Sequence, residues 1–234
     1  MKHDLRRHGR APGASGARTV PDERYPGYDV LAKQDTPSWD AATRRAIAER
    51  LAVRDEPRFL GGDRWLTLRA LCDGVLPQPP GGAHVPLAAY VDRKLADNRG
   101  DGYRPAKLPP LREAWLRGLA ALEAEARAAF AKPFHLLPAV ARDQLIGAMQ
   151  RGELKDDAWG GMPCEVFFAD RAAPDIVRAY YAHPQAWNEI GFGGPASPRG
   201  YVRLGFNERD PWEAADALTD GAAGAWRKNR RVGR

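Results

Sequence analysis

The stretch LREAWLRGLAALEAEARAAF, running from Leu111 to Phe130, decides the fold class. Leu111, Trp115, Leu119, Leu122, Ala126 and Phe130 recur at spacings of three and four, which puts them on one stripe of an α-helix. Glu113, Arg117, Glu123, Glu125 and Arg127 fill the remaining faces. Working outward toward the N-terminus, Leu87, Tyr90, Val91 and Leu95 repeat the pattern behind Pro86, a residue suited to a first helical turn. Trp65, Leu68, Leu71, Cys72, Val75 and Leu76 repeat it again, with Asp63 as the expected N-cap. A first helix is predicted over Ala41–Ala52, introduced by Thr36, Pro37, Ser38 and Asp40. Toward the C-terminus, Leu145, Ile146 and Met149 mark a helix after Pro138. Cys164–Ala169 is apolar and reads as helix, and Pro174 starts or kinks a further one over 174–181. A short helix is expected around Pro211–Leu218, with Asp210 as cap. No alternating strand and no repeat of 20–50 residues is apparent. The predicted class is mainly α, an irregular helical domain with long Gly/Pro-rich loops and extended terminal arms.

The chain has 234 residues, of which 44% are hydrophobic and 28% charged, so one sizeable core is available. No run approaches the roughly 18 consecutive apolar residues of a membrane helix. Net charge is +6, with an isoelectric point near 9.5, but the basicity is concentrated at the ends. Residues 1–24 carry +3 and residues 227–234 carry +5, which leaves 25–226 at −2. A nucleic-acid binder usually places its cations on a folded face. Here they read as solvated tails able to touch phosphate weakly and with steep salt dependence. The predicted organisation is an extended or disordered arm over 1–35, one helical domain over 36–220 and a basic tail over 221–234. Tyr25 and Tyr28 are expected to anchor the end of the arm on the body.

Arg6-Arg7 forms a twin-arginine pair, yet a polar, Gly-rich segment follows instead of an apolar one. The expected location is therefore cytoplasmic, with export only on a partner. Dinucleotide, Walker A, zinc-protease and nucleophile-elbow motifs are absent. His3, His8, His84, His135 and His183 are scattered, so neither a metal site nor a bound cofactor is expected. His183 with Glu189, Tyr180 and Tyr181 is the one acid–base set to be entertained for a stand-alone enzyme, and nothing in the spacing sets its geometry. Cys72 and Cys164 permit at most one internal bridge.

Residues 180–205 stand apart. Five glycines between 191 and 205, together with Pro195 and Pro198, preclude a regular helix there. Trp187, Phe192 and Tyr201 must nevertheless be buried, either on their own helices or against another chain. Aromatic residues and arginine are the usual anchors of protein interfaces.

Several blocks in fixed order carry a resemblance: Leu66–Pro77, Val91–Leu95, Gly118–Ala126, Phe167-Phe168, His183-Pro184, Trp187, Gly191–Pro195 and Gly200-Tyr201. Over roughly 60–205 the chain resembles the gluconate 2-dehydrogenase subunit 3 family. The resemblance implies a non-catalytic small subunit that binds, stabilises and helps mature a large FAD-containing subunit of the glucose–methanol–choline type. That large subunit oxidises a sugar, sugar acid or glycoside hydroxyl, and a cytochrome c accepts the electrons in some members. It implies that the flavin sits in the partner, and that small subunits with a twin-arginine signal carry the folded pair across the membrane. This chain has the arginine pair without the apolar region, so a stabilising role is expected here. On this reading His183, Trp187, Asn188, Phe192, Gly193, Gly194, Pro195, Arg199 and Tyr201 form the expected partner interface. The counter-expectation is that this loop folds on its own chain and the arms make the interface. Because some relatives bridge the two subunits through a cysteine, Cys164, beside a Gly/Pro loop and expected to be the more exposed thiol, is the candidate.

Overall fold

The structure, a computed structural model, describes residues 23–79, 84–197, 200 and 212–232. It is mainly α, as the periodicities predict. The helices are α1 (Ala41–Leu51), α2 (Gly62–Val75), α3 (Leu87–Asp97), α4 (Leu111–Phe130), α5 (Ala139–Gln150), α6 (Cys164–Phe167), α7 (Ala173–Tyr181), α8 (Pro184–Ile190), α9 (Ala217–Asp220) and α10 (Ala222–Asn229). Among the described residues the only β-pairing is a single bridge between Trp39 and Ser197.

The local start signals act with small shifts. Asp40 caps α1, its carboxylate accepting the Thr43 N–H at 2.7 Å. At α2 the expected cap Asp63 lies inside the first turn and Gly61 takes the cap position. The carboxylate there faces the positive end of the helix dipole. α3 ends on Asn98 and α4 on Ala131, both in the left-handed conformation that closes helices.

α2 lies at the centre of the body, in contact with α3, α4, α5 and α7. The main core gathers Leu68, Leu71, Trp115, Leu119, Leu122, Phe134, Met149 and Phe167. Burying an indole such as that of Trp115 removes roughly 200 Å² from water, about 5 kcal/mol of transfer free energy before the entropy of ordering. The Phe167 ring packs edge-to-face on Trp115 at 5.5 Å between centroids and tilts against Trp159 at 5.9 Å. Gly118 on α4 makes room for that ring. Polar residues on the other faces of α4 join the packing. Glu123 accepts the Phe134 N–H at 3.0 Å, and Glu125 accepts from the Asp156 N–H at 2.8 Å and the Trp159 indole at 3.1 Å.

α6 and α7 form one helical run interrupted by a wide π-turn over Phe168–Ala172. Ala173 N–H donates to the Phe168 carbonyl, five residues back. The wider turn accommodates Pro174, which lacks the N–H an α-helix interior would use. The sequence reading expected a start or kink at this proline.

Four stretches differ from the sequence reading. The arm expected to be extended over 1–35 is, across its described part, folded: Asp29 caps a short 3-10 turn at Val30–Lys33, and Tyr25, Tyr28, Val30 and Lys33 are buried. After His183 a regular helix, α8, forms where irregular chain was expected, because no glycine intervenes until Gly191. The C-terminal stretch expected as a solvated tail contains α10, and Ala225, Asn229 and Val232 are buried. The predicted helix at Pro211–Leu218 is displaced to Ala217–Asp220, capped by Asp216. Its expected cap, Asp210, lies outside the described residues.

Candidate partner interface around helix α8

Both ends of the described chain close over α8. Tyr25, Tyr28, Val30, Trp39, Ile47, Trp187, Ala214 and Val232 make a second apolar cluster, separate from the main core. The ends are tied to each other by polar contacts. Arg24 Nε and Nη2 converge on Asp216 Oδ2 at 2.9 and 2.8 Å. Ala217 N–H donates to the Arg24 carbonyl at 2.9 Å. Asn229 donates to the Pro26 carbonyl at 3.0 Å and accepts the Ala215 N–H at 2.7 Å.

The predicted interface residues take different positions in this unit. His183 is buried and caps α8, its Nδ1 accepting the Gln185 N–H at 3.3 Å, and its ring meets Tyr90 edge-on at 6.2 Å. Burial lowers its pKa below the ordinary imidazole value. Trp187 is only 3% exposed, within its own chain, and its indole donates to the Tyr181 carbonyl at 2.7 Å. Asn188 Oδ1 accepts the Val30 N–H at 2.8 Å. Gly191 adopts φ +65° with the Tyr25 ring where a Cβ would stand, so only glycine fits this helix end. Phe192 packs edge-to-face on Trp187 at 5.5 Å and remains 42% exposed. Gly193 offers its carbonyl to the buried Lys33 ammonium at 2.9 Å, and Gly194 backs onto Val30 and Trp187. Pro195 is half-buried. Arg199 and Tyr201 lie outside the described residues.

The loop is therefore held by its own chain, while Ile190 and Phe192 face outward. Val177 and Tyr181, one turn apart on α7, are also exposed.

Cys164, expected to be the more exposed thiol, is instead buried. Its sulfur lies 3.6 Å from the Leu154 carbonyl, and burial raises its pKa. The Gly/Pro loop that suggested exposure is fastened to α4 through Asp156 and Trp159, and the Leu154 backbone lies against the sulfur. Cys72 is buried as well, and both thiols are free. The acid–base set entertained for a stand-alone enzyme is not assembled. Burial raises the Tyr180 phenol pKa, with the Glu189 carboxylate adding to the shift, whereas His183 is engaged at the helix cap and against Tyr90. Among the described residues no group of three or more His, Cys, Asp or Glu side chains is placed to hold a metal ion. No described helix is long and apolar enough to cross a membrane.

Sequence reasoning missed two features. Lys33 carries no signal in a polar arm, yet it is 1% exposed and ties the arm to Gly193. Lys94, Asp101, Trp115, Arg171, Asp175 and Arg178 form one polar network joining α3, α4 and α7. The residues lie up to 84 positions apart, so no local pattern announces them.

Fold and site together describe a helical scaffold that fixes a surface loop from both ends of its described chain. Residues 62–194 match the family model described as gluconate 2-dehydrogenase subunit 3, and the chain belongs to that family. It is thus related to a subunit of a multi-subunit dehydrogenase complex. Comparison with curated proteins and with solved structures found no match. The matched region runs from the start of α2 to Gly194, so Tyr25, Tyr28, Ala214 and Val232, which share the apolar cluster of Trp187, lie outside it.

Proposed function

We propose that this chain is the non-catalytic small subunit of an FAD-dependent oxidoreductase, binding and stabilising a large flavoprotein of the glucose–methanol–choline type and supporting its maturation. On this reading the partner holds the flavin and oxidises a sugar, sugar acid or glycoside hydroxyl, and this chain contributes surface. On the same reading the pair assembles in the cytoplasm. The observation that carries the reading is the treatment of Ile190 and Phe192. They are 47% and 42% exposed on a segment that Trp187, Asn188, Gly193 and Lys33 otherwise fasten rigidly. A fastened loop that presents apolar side chains to solvent suits a preformed docking surface, since little ordering entropy is lost on association.

The test is purification of the tagged chain from its native host, followed by a visible spectrum and addition of sugars. The expected result is a co-purifying large protein whose flavin bleaches with substrate, and loss of that protein from the double variant Ile190→Ser, Phe192→Ser. A solitary, colourless chain would overturn the reading.

A further inference from the structure

A cleft of about 450 Å³ lies between the 98–104 loop, the start of α4 at Pro110 and Leu111, and Arg171 in the wide turn. Its volume is in the range of small-ligand sites, roughly 300–1,000 Å³. Arg171 is 3% exposed, yet its charge is poorly met. Its Nη1 reaches Asp101 only at 3.4 Å and Asp175 only at 3.9 Å, and its Nε has no hydrogen-bond partner. Charge-assisted N–H···O bonds normally close to about 2.7–2.9 Å.

Both carboxylates are engaged more tightly by other donors. Asp101 accepts from Lys94 at 2.7 Å and Arg178 at 3.0 Å. Asp175 accepts from Lys94 at 2.7 Å and the Trp115 indole at 2.9 Å. Lys94, Arg171 and Arg178 thus share two carboxylates, and the surplus positive charge falls on the buried guanidinium. Arg104 adds a second cation to the cleft lining, its Nη1 held by the Leu108 carbonyl at 3.1 Å, and the exposed Tyr103 side chain also lines it. Arg171 also sits in the π-turn, a distortion that commonly marks functional positions in helices.

We propose that this cleft binds a small carboxylate, held by the planar guanidinium of Arg171 and by Arg104. One anionic charge balances the surplus, and the planar fork of an arginine matches a carboxylate. Asp101, which also lines the cleft, disfavours a dianion such as sulfate. The carboxylate comes either from a free small acid or from an acidic side chain of a bound protein.

The test is an NMR titration of the full ¹⁵N-labelled chain with sodium acetate, against sodium chloride and sodium sulfate at matched ionic strength, following the Arg104 and Arg171 Nε–H signals. Saturable shifts are expected with acetate and only linear ones with chloride. Arg104→Ala, an exposed site that leaves the fold intact, should weaken acetate roughly fivefold, the worth of one solvent-facing charge-assisted hydrogen bond. Arg171→Lys, which keeps the charge and loses the fork, should abolish saturation. A response to acetate no different from that to chloride, tighter binding of sulfate, or an unchanged Arg104→Ala titration would each overturn the proposal. Repeating the titration on the chain within its native complex separates the two sources. Acetate that still binds points to a free acid, and acetate that is excluded points to a partner side chain already in the cleft.

Discussion

Asp175 on α7 accepts the indole N–H of Trp115 on α4 at 2.9 Å, and both residues are buried. The other oxygen of the same carboxylate takes the Lys94 ammonium of α3 at 2.7 Å. One side chain thus joins three helices, and its two closest partners come from distant parts of the chain. Asp175→Asn keeps the shape and an acceptor but leaves the Lys94 and Arg171 cations less compensated. The expected loss is about 3–5 kcal/mol by denaturant unfolding, the usual result of breaking a buried pair from one side. Trp115→Phe should cost less in polar terms, about 1–3 kcal/mol for the unmet acceptor.

Gly118 and Phe167 depend on each other in the same core. A Cβ at 118 would intrude on the Phe167 ring, so Gly118→Ala should destabilise by about 1–3 kcal/mol despite the better helix propensity of alanine. Adding Phe167→Leu should recover part of the loss. A strictly additive double variant would show that the two positions do not share space.

Lys33 is the arm's polar anchor. Lys33→Met retains the aliphatic stem and removes the bond to the Gly193 carbonyl. About 1–3 kcal/mol should be lost, because that carbonyl then stays buried without its donor. Hydrogen exchange should quicken at Val30–Gln34 and Gly191–Gly194 while the main core is unaffected, which would mark the α8 unit as locally separable.

His183 sets an acid-side limit on stability. Burial holds its folded pKa below the ordinary value near 6.5, so on acidification the unfolded chain takes up the proton first. Stability contributed by the neutral ring is full above that value and is lost as pH falls below it, at up to about 1.4 kcal/mol per pH unit. His183→Asn, which preserves a capping side chain, should flatten this slope between pH 7 and pH 5. An unchanged pH profile would show that His183 titrates normally.

Cys164 and Cys72 should resist thiol reagents in the folded chain and react fully in denaturant, since burial shields both and raises both pKa values. Rapid labelling of one thiol under native conditions would show that its region opens readily and would revive Cys164 as a bridging site.

Much of the fold was legible because its information is local. Leu111–Phe130, Leu87–Leu95 and the 65–76 repeat name their own helices, and Asp40 sits at a helix end where its side-chain chemistry is favoured. The site was legible only in part. Trp187 and Phe192 were singled out together, yet Trp187 is enclosed and Phe192 is half-exposed. They are five residues apart on one short segment, and composition cannot tell which ring the arm will cover.

By itself the sequence determined the helical class, the positions of the main helices, the family and the aromatic segment after His183, because periodicity, caps and glycines act within a few residues. Tertiary structure alone decided that the polar ends fold over α8, that Lys33 and Arg171 are buried, and that Cys164 is enclosed. Those outcomes depend on pairings such as Arg24 with Asp216, 192 residues apart, where the free energy comes from desolvation and contact that no local pattern encodes.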